Sequence, residues 1–200
     1  MSGQGTPERY RAVATLPTLL DGRADGQPLP THPQSGYRLS TAIRQATIAD
    51  VPFIRQFIVE LAEYERLGDQ AVATEDDLRA ALFGERPDAE VLIAEVDGAP
   101  GGFALYFHNF STFLGRRGLY LEDLYVRPAL RGRGVGRALL ARLAALAVER
   151  GCGRFEWSVL DWNEPAIGFY KALGAVPQSD WTVYRVTGDA MARLAAESIT

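Results

Sequence analysis

Cysteine is almost missing from this chain. The single Cys152 excludes an internal disulfide and any cysteine-based metal cluster, and it makes the cytosol the expected compartment. Histidine is nearly as scarce, with His32 and His108 alone, so the sequence offers no histidine-rich site and no metal is expected. No apolar run approaches the roughly 20 residues a membrane span needs, so no membrane partner is expected. Positive charge is also in deficit: 21 Lys and Arg against 25 Asp and Glu leave a formal net charge of −4. A nucleic-acid-binding domain is normally basic, so a nucleic-acid partner is not expected, whereas an acidic protein suits a cationic substrate. What the chain does have is apolar content, 47% over 200 residues, enough for one globular domain with a sizeable core.

Residues 1–36 are rich in Gly, Pro, Thr and Gln without sustained periodicity and are expected to be a flexible extension. The run AVATLPTLL within them is too polar and too broken by proline for a signal-peptide core. The folded domain is expected over 37–200. A first strand spans 37–46, and Thr47 and Asp50 then compete as helix caps, with Pro52 favouring the later start. Ile54, Phe57, Ile58 and Leu61 share one face of the helix that follows. Glu65 continues that face where an apolar residue would be expected, as either a frayed end reaching solvent or a substrate contact. Tyr64 lies beside the stripe. A second helix runs from a Thr74 cap to Phe83, and VLIAEV (91–96) and GGFALYFHN (101–109) form a hairpin. LYLEDLYV (119–126) is a strand, 137–150 a helix, RFEWSVL (154–160) a strand and WTVYRV (181–186) a last strand. Pro165 opens a helix that stops at Gly174, and 189–197 form a terminal helix. This order specifies an α/β domain with a mixed, mostly antiparallel central sheet and helices on both faces.

The segment 119–143 organises the rest. A central strand carries two adjacent carboxylates, Glu122 and Asp123, which are costly there unless paired, solvated or functional. Adjacent strand residues point to opposite faces, so the two should not share one site unless a bulge reorients them. R-G-R-G-V-G (131–136) then leads into a helix whose first amides have no partner within it, which makes an anion site. The spacing is not G-x-G-x-x-G, and the Gly-Lys-Ser/Thr ending of a Walker A loop is missing. It fits R/Q-x-x-G-x-G/A, with Arg131, Gly134 and Gly136 in the defined places.

With ELAEYE (60–65), YLEDLYV (120–126) and WNEPAIGFYKALGA (162–175), this loop resembles the GCN5-related N-acetyltransferases, and within them the spermidine/spermine (diamine) acetyltransferase group. The resemblance covers about residues 38–188. It implies acetyl-CoA as co-substrate, a small cationic amine as acceptor, direct transfer in a ternary complex, and a homodimer. It assigns Glu122 as the base that deprotonates the amine and Tyr170 as the donor to the departing sulfur. The coenzyme would be held by Leu124, Tyr125 and Val126, by Arg131, Gly132, Arg133, Gly134, Val135, Gly136 and Arg137, and by Asn163, Glu164, Pro165 and Ala166. Substrate-side positions are Tyr64, Glu65, Glu122, Asp123, Glu156, Trp157 and Ser158. By pattern alone Tyr170 would serve equally as a core tyrosine, since Ala166, Tyr170 and Leu173 share a helical face. The acceptor is a diamine or polyamine first, with a lysine analogue, an amino acid or a protein amine as alternatives. A non-catalytic acyl-CoA-binding module is the rival class, and it would need neither Glu122 nor Tyr170.

Overall fold

The computed structural model describes residues 40–198, and the extension expected over 1–36, with its boundary, lies outside the described residues. Five of the six segments expected to be strands form a five-stranded sheet whose strands lie side by side in chain order. β1 (Thr41–Gln45), β2 (Glu90–Val96), β3 (Ala99–Ser111) and β4 (Arg116–Val126) are antiparallel neighbours. β5 (Phe155–Trp157) joins β4 in parallel through only three residue pairs, ending at Leu121 and Trp157. The β2–β3 turn is Asp97-Gly98, both with positive φ (52° and 80°), the backbone a two-residue hairpin requires.

Helices cover both faces. α1 (Val51–Tyr64) and α2 (Glu75–Phe83) lay Ile54, Phe57, Leu78 and Leu82 on Ile93, Phe103 and Tyr125. α3 (Val135–Glu149) sets Leu139, Leu140, Leu143 and Leu146 on the other face, against Leu92, Ala104, Tyr106 and Leu121. Each such burial contributes about 1.5–3 kcal/mol, so its apolar stripe is what holds α3 in place. α4 (Glu164–Ala172) borders that second core through Phe169 and Tyr170, and α5 (Gly188–Ala196) follows. Among the described residues no helix is long and apolar enough to cross a membrane.

Two boundaries differ from the pattern-based reading for physical reasons. The segment 181–186 is not a strand: Trp181 is 75%, Val183 82% and Tyr184 91% exposed. Its β-branched and aromatic residues suit a pleated, half-buried surface, and that preference is expressed only against a neighbouring strand. β5 ends at Trp157 rather than residue 160, because beyond the pair Leu121–Trp157 the chain has left β4.

Both competing residues take N-cap positions, Thr47 for a 3-10 turn and Asp50 for α1, but the Asp50 side chain turns back to Thr47 and makes no cap hydrogen bond to α1. Asp50 accepts hydrogen bonds from the Thr47 amide (2.7 Å) and hydroxyl (2.9 Å), closing a 3-10 turn over Ile48–Asp50 ahead of the helix. Arg44 of β1 donates both Nη atoms to the same carboxylate at 2.8 Å and its Nε to Glu95 at 2.7 Å. The carboxylate is only 4% exposed. First the Arg44 guanidinium, then the Thr47 donors against the cost of burial, bring Asp50 from the usual 3.8 down to about 2. Because the folded value is the lower one, this group stabilises the fold above the unfolded value and loses that contribution as pH falls toward the folded one. Asp50→Asn should therefore lower stability at pH 7 by about 2 kcal/mol and flatten the acid limb of the stability curve. Urea unfolding at neutral and at acid pH checks this, and parallel curves for the two proteins would contradict it.

Candidate active site

The site begins with one extra residue in β4. Across the β3–β4 ladder Leu105 faces Asp123 and Tyr106 faces Leu121, so Glu122 is left unpaired in a β-bulge. The alternation that would send Glu122 and Asp123 to opposite faces is broken at that point. Both line one cavity of about 570 Å³. It opens where β4 and β5 diverge, one residue beyond their last pair. Glu65, the residue that caps the C-terminus of α1, adds a third carboxyl group. Among the described residues none of the three forms an ion pair with an arginine or lysine. Pairing with a core arginine, the structural explanation for charge in this strand, is therefore not what holds them.

Their electrostatics follow from crowding. Burial first, then the charges of Glu122 and Glu65, push Asp123 from 3.8 up to about 6. Burial also raises Glu65. Tyr170 reaches the same cavity from α4, and burial, then Glu65 and Tyr64, raise its hydroxyl above the usual 10.0. That keeps it protonated near neutrality and able to donate. Three carboxyl groups without counter-ions in a part-apolar cavity suit a cationic guest.

The opposite wall suits an anion. Gly132 and Gly134 have positive φ (72° and 86°), and Gly134 is the N-cap of α3 with no side chain closing the helix end. The amides of Val135, Gly136 and Arg137 are therefore first-turn donors without a helical partner. Arg131, Gly132, Gly134, Val135, Gly136 and Arg137 all line the cavity, as do Leu124, Tyr125 and Val126. Arg131 donates its Nε to the Val126 carbonyl (2.9 Å) and lays its guanidinium over the Tyr64 ring at 4.6 Å. Tyr64 in turn donates to Asn163 Oδ1 (3.3 Å), the atom that caps α4 through the Ala166 amide.

Asn163, Pro165, Ala166 and Ser158 reach the lining; Arg133, Glu164, Glu156 and Trp157 do not. Glu156 pairs with Arg154 (2.8 Å) and accepts from Asn109 (3.0 Å). Trp157 packs its ring 5.0 Å from that of Tyr170 and so buttresses the tyrosine from behind. Residues not singled out by sequence form the apolar wall: Leu61, Leu130, Val159 and Phe169. Such side chains carry no local signature of a cavity, since any core uses them. Trp162, outside the lining, braces Tyr64 at 6.1 Å, and its place at the head of the W-N-E-P motif was the available signal.

One cavity beside a split in the mixed sheet thus brings together a glycine-led helix N-terminus and three carboxyl groups without ion-pair partners among the described residues. Residues 56–175 match the acetyltransferase (GNAT) family, and the chain belongs to it. It is an acetyltransferase enzyme of a family that uses acetyl-CoA as co-substrate. The thialysine N-epsilon-acetyltransferase of Sus scrofa is 42% identical over 169 residues, 79% of this chain and 99% of that protein. An L-ornithine N5-acetyltransferase of Arabidopsis thaliana is 34% identical, over 82% of this chain and 91% of its own length. Among solved structures, an integron cassette protein from the mobile metagenome of V. cholerae superposes with a TM-score of 0.67 at 31% identity, covering 80% of this chain and 99% of its own.

The raised Asp123 makes a thermodynamic prediction. Its folded value lies above the unfolded one, so ionised Asp123 destabilises the fold fully above about pH 6 and not at all below the unfolded 3.8. Asp123→Asn should therefore stabilise the protein by about 2–3 kcal/mol at pH 8, with the gain fading as pH falls toward 4. Urea unfolding at the two pH values tests it; a variant less stable than the parent at pH 8 would mean the charged form is satisfied in place.

Proposed function

We propose that the protein is an N-acetyltransferase that moves the acetyl group of acetyl-CoA to a primary amine of a small cationic substrate, by direct attack with both substrates bound. The observation that carries this reading is the bulge that sets Glu122 and Asp123 together in the one cavity that Tyr170 and the glycine loop also line. The loop suits a coenzyme pyrophosphate: a Cβ at Gly132 or Gly134 would meet no atom within 4 Å, so the backbone there stands open to a ligand. When bound, the coenzyme supplies an activated acetyl thioester. Amides of 135–137, with Gly132 and Gly134, would hold its phosphates; Leu124 and Val126 would offer backbone hydrogen bonds to its arm.

The remaining steps fall to side chains of this chain. An alkylammonium near the reference value of about 10.4 must lose a proton before it can attack. Glu122 takes that proton, directly or through a water, and Asp123 and Glu65 hold the cation beforehand. Tyr170, which burial keeps protonated, gives its hydroxyl proton to the sulfur as that atom departs and takes back the proton that the newly acylated nitrogen loses. The named relatives act on thialysine and on ornithine, which makes the terminal amine of a lysine analogue the leading acceptor and a diamine or polyamine the second choice. The reading includes a cytoplasmic homodimer, supported by the exposed apolar residues Trp181, Val183 and Tyr184, and a domain beginning near residue 37.

Thiol release with thialysine, lysine, ornithine and spermidine tests the acceptor, and no turnover with any of them would contradict the reading. Tyr170→Phe keeps the ring that packs on Trp157 and removes one oxygen. Its kcat on the best amine should fall by about 10²–10⁴-fold with acetyl-CoA affinity nearly unchanged. Near-normal kcat in a folded variant would reduce Tyr170 to a core residue.

A further inference from the structure

A second concavity, of about 610 Å³, lies between the β3–β4 hairpin and the C-terminal end of α3. His108, Phe110, Arg116, Arg117 and Arg150 form its walls, and it shares no lining residue with the acetyltransferase cavity. In a chain with a net charge of −4, three arginines and a histidine around one hollow run against the overall balance. Arg150 is neutralised, since both its Nη atoms donate to Glu90. Arg116 and Arg117 have no carboxylate partner among the described residues, so the hollow keeps an excess of two positive charges. The ladder accounts for part of this: the alternate pairs Phe110–Arg117 and His108–Leu119 share one face, whereas Arg116, paired with Ser111, lies on the alternate face and joins the lining at the hairpin end.

His108 adds an independent observation. Its Nε2 is buried and has no hydrogen-bond partner among the described residues. Burial first, then the positive charges of Arg150 and Arg117, hold its imidazole below the usual 6.5, with Glu90 opposing. A buried ring nitrogen without a partner is expensive, and it becomes a donor once protonated. A guest bearing negative charge would lie among the Arg116 and Arg117 side chains, beside the His108 ring whose protonated form it would favour. Phe110, 62% exposed, supplies an apolar side. The volume is that of a small-molecule site, smaller than a protein-docking face requires.

We propose that this hollow is a second ligand site, which binds a small anion carrying at least two negative charges, through Arg116, Arg117 and His108. It is independent of the amine and coenzyme sites.

The test is an NMR titration of the two imidazoles in the full-length protein, with pyrophosphate in one arm and citrate in the other, at constant ionic strength. His108 reports the hollow even if pyrophosphate also occupies the coenzyme loop, and His32 is the internal reference. Saturable binding should raise the His108 value by about one pH unit while His32 stays put. A response to pyrophosphate alone identifies a phosphate site, to citrate alone a carboxylate site, and to both a general polyanion site. R116Q/R117Q should weaken the effect by at least about tenfold, and each single variant by less, with acetyltransferase turnover retained. No saturable shift in either arm, an equal shift at His32, or an unchanged titration in R116Q/R117Q would overturn the proposal.

Discussion

The cavity depends on a single surplus residue in β4. Without the bulge at Glu122, strand alternation would turn one of the two carboxylates out of the site and leave the other with Glu65 as its like-charged neighbour. With it, burial and then the charges of Glu122 and Glu65 push Asp123 up to about 6, so that its ionised form costs stability at neutral pH. The flanking apolar cores bear that cost, through Phe103 and Tyr125 on one face and Leu121 on the other. On the proposed function, the arrangement trades stability for a preformed cation site.

A second constraint joins the two halves of the cavity. Arg131 on the loop after β4, Tyr64 at the end of α1 and Asn163 at the start of α4 form one chain of contacts, by cation–π stacking and then a hydrogen bond. Each of the three sits at an element terminus, where small rotations of a helix become displacements of the wall. The anion-facing loop, the carboxylate of Glu65 and the cap of the tyrosine-bearing helix are thereby fixed with respect to one another. The same α4 carries Tyr170 and rests it on Trp157, so the donor is positioned by packing as much as by its own helix.

Much of this was legible in the residues. The apolar runs on either side of the Asp97-Gly98 turn specify β2 and β3, the leucine stripe specifies α3, and R-G-R-G-V-G marks the open helix N-terminus. The bulge was not legible, because a register shift is decided by the pairing of β4 with β3 and leaves no mark in YLEDLYV itself. Glu156 and Trp157 illustrate the converse: they sit beside a lining residue, Ser158, yet one is occupied by Arg154 and the other by Tyr170. WTVYRV shows why strand propensity misleads, since its six residues have the composition of a strand and no neighbouring strand in the sheet to pair with.

The proposed chemistry rests on Glu122 as the base, and the pH dependence of Glu122→Gln tests that most directly. The substitution keeps the size of the side chain on the bulge and removes its ability to accept a proton. A general-base role predicts that kcat/KM falls most near neutral pH and partly recovers at alkaline pH, where more of the amine is already deprotonated. A loss of the same size at every pH would contradict it and leave Glu122 with a structural part alone.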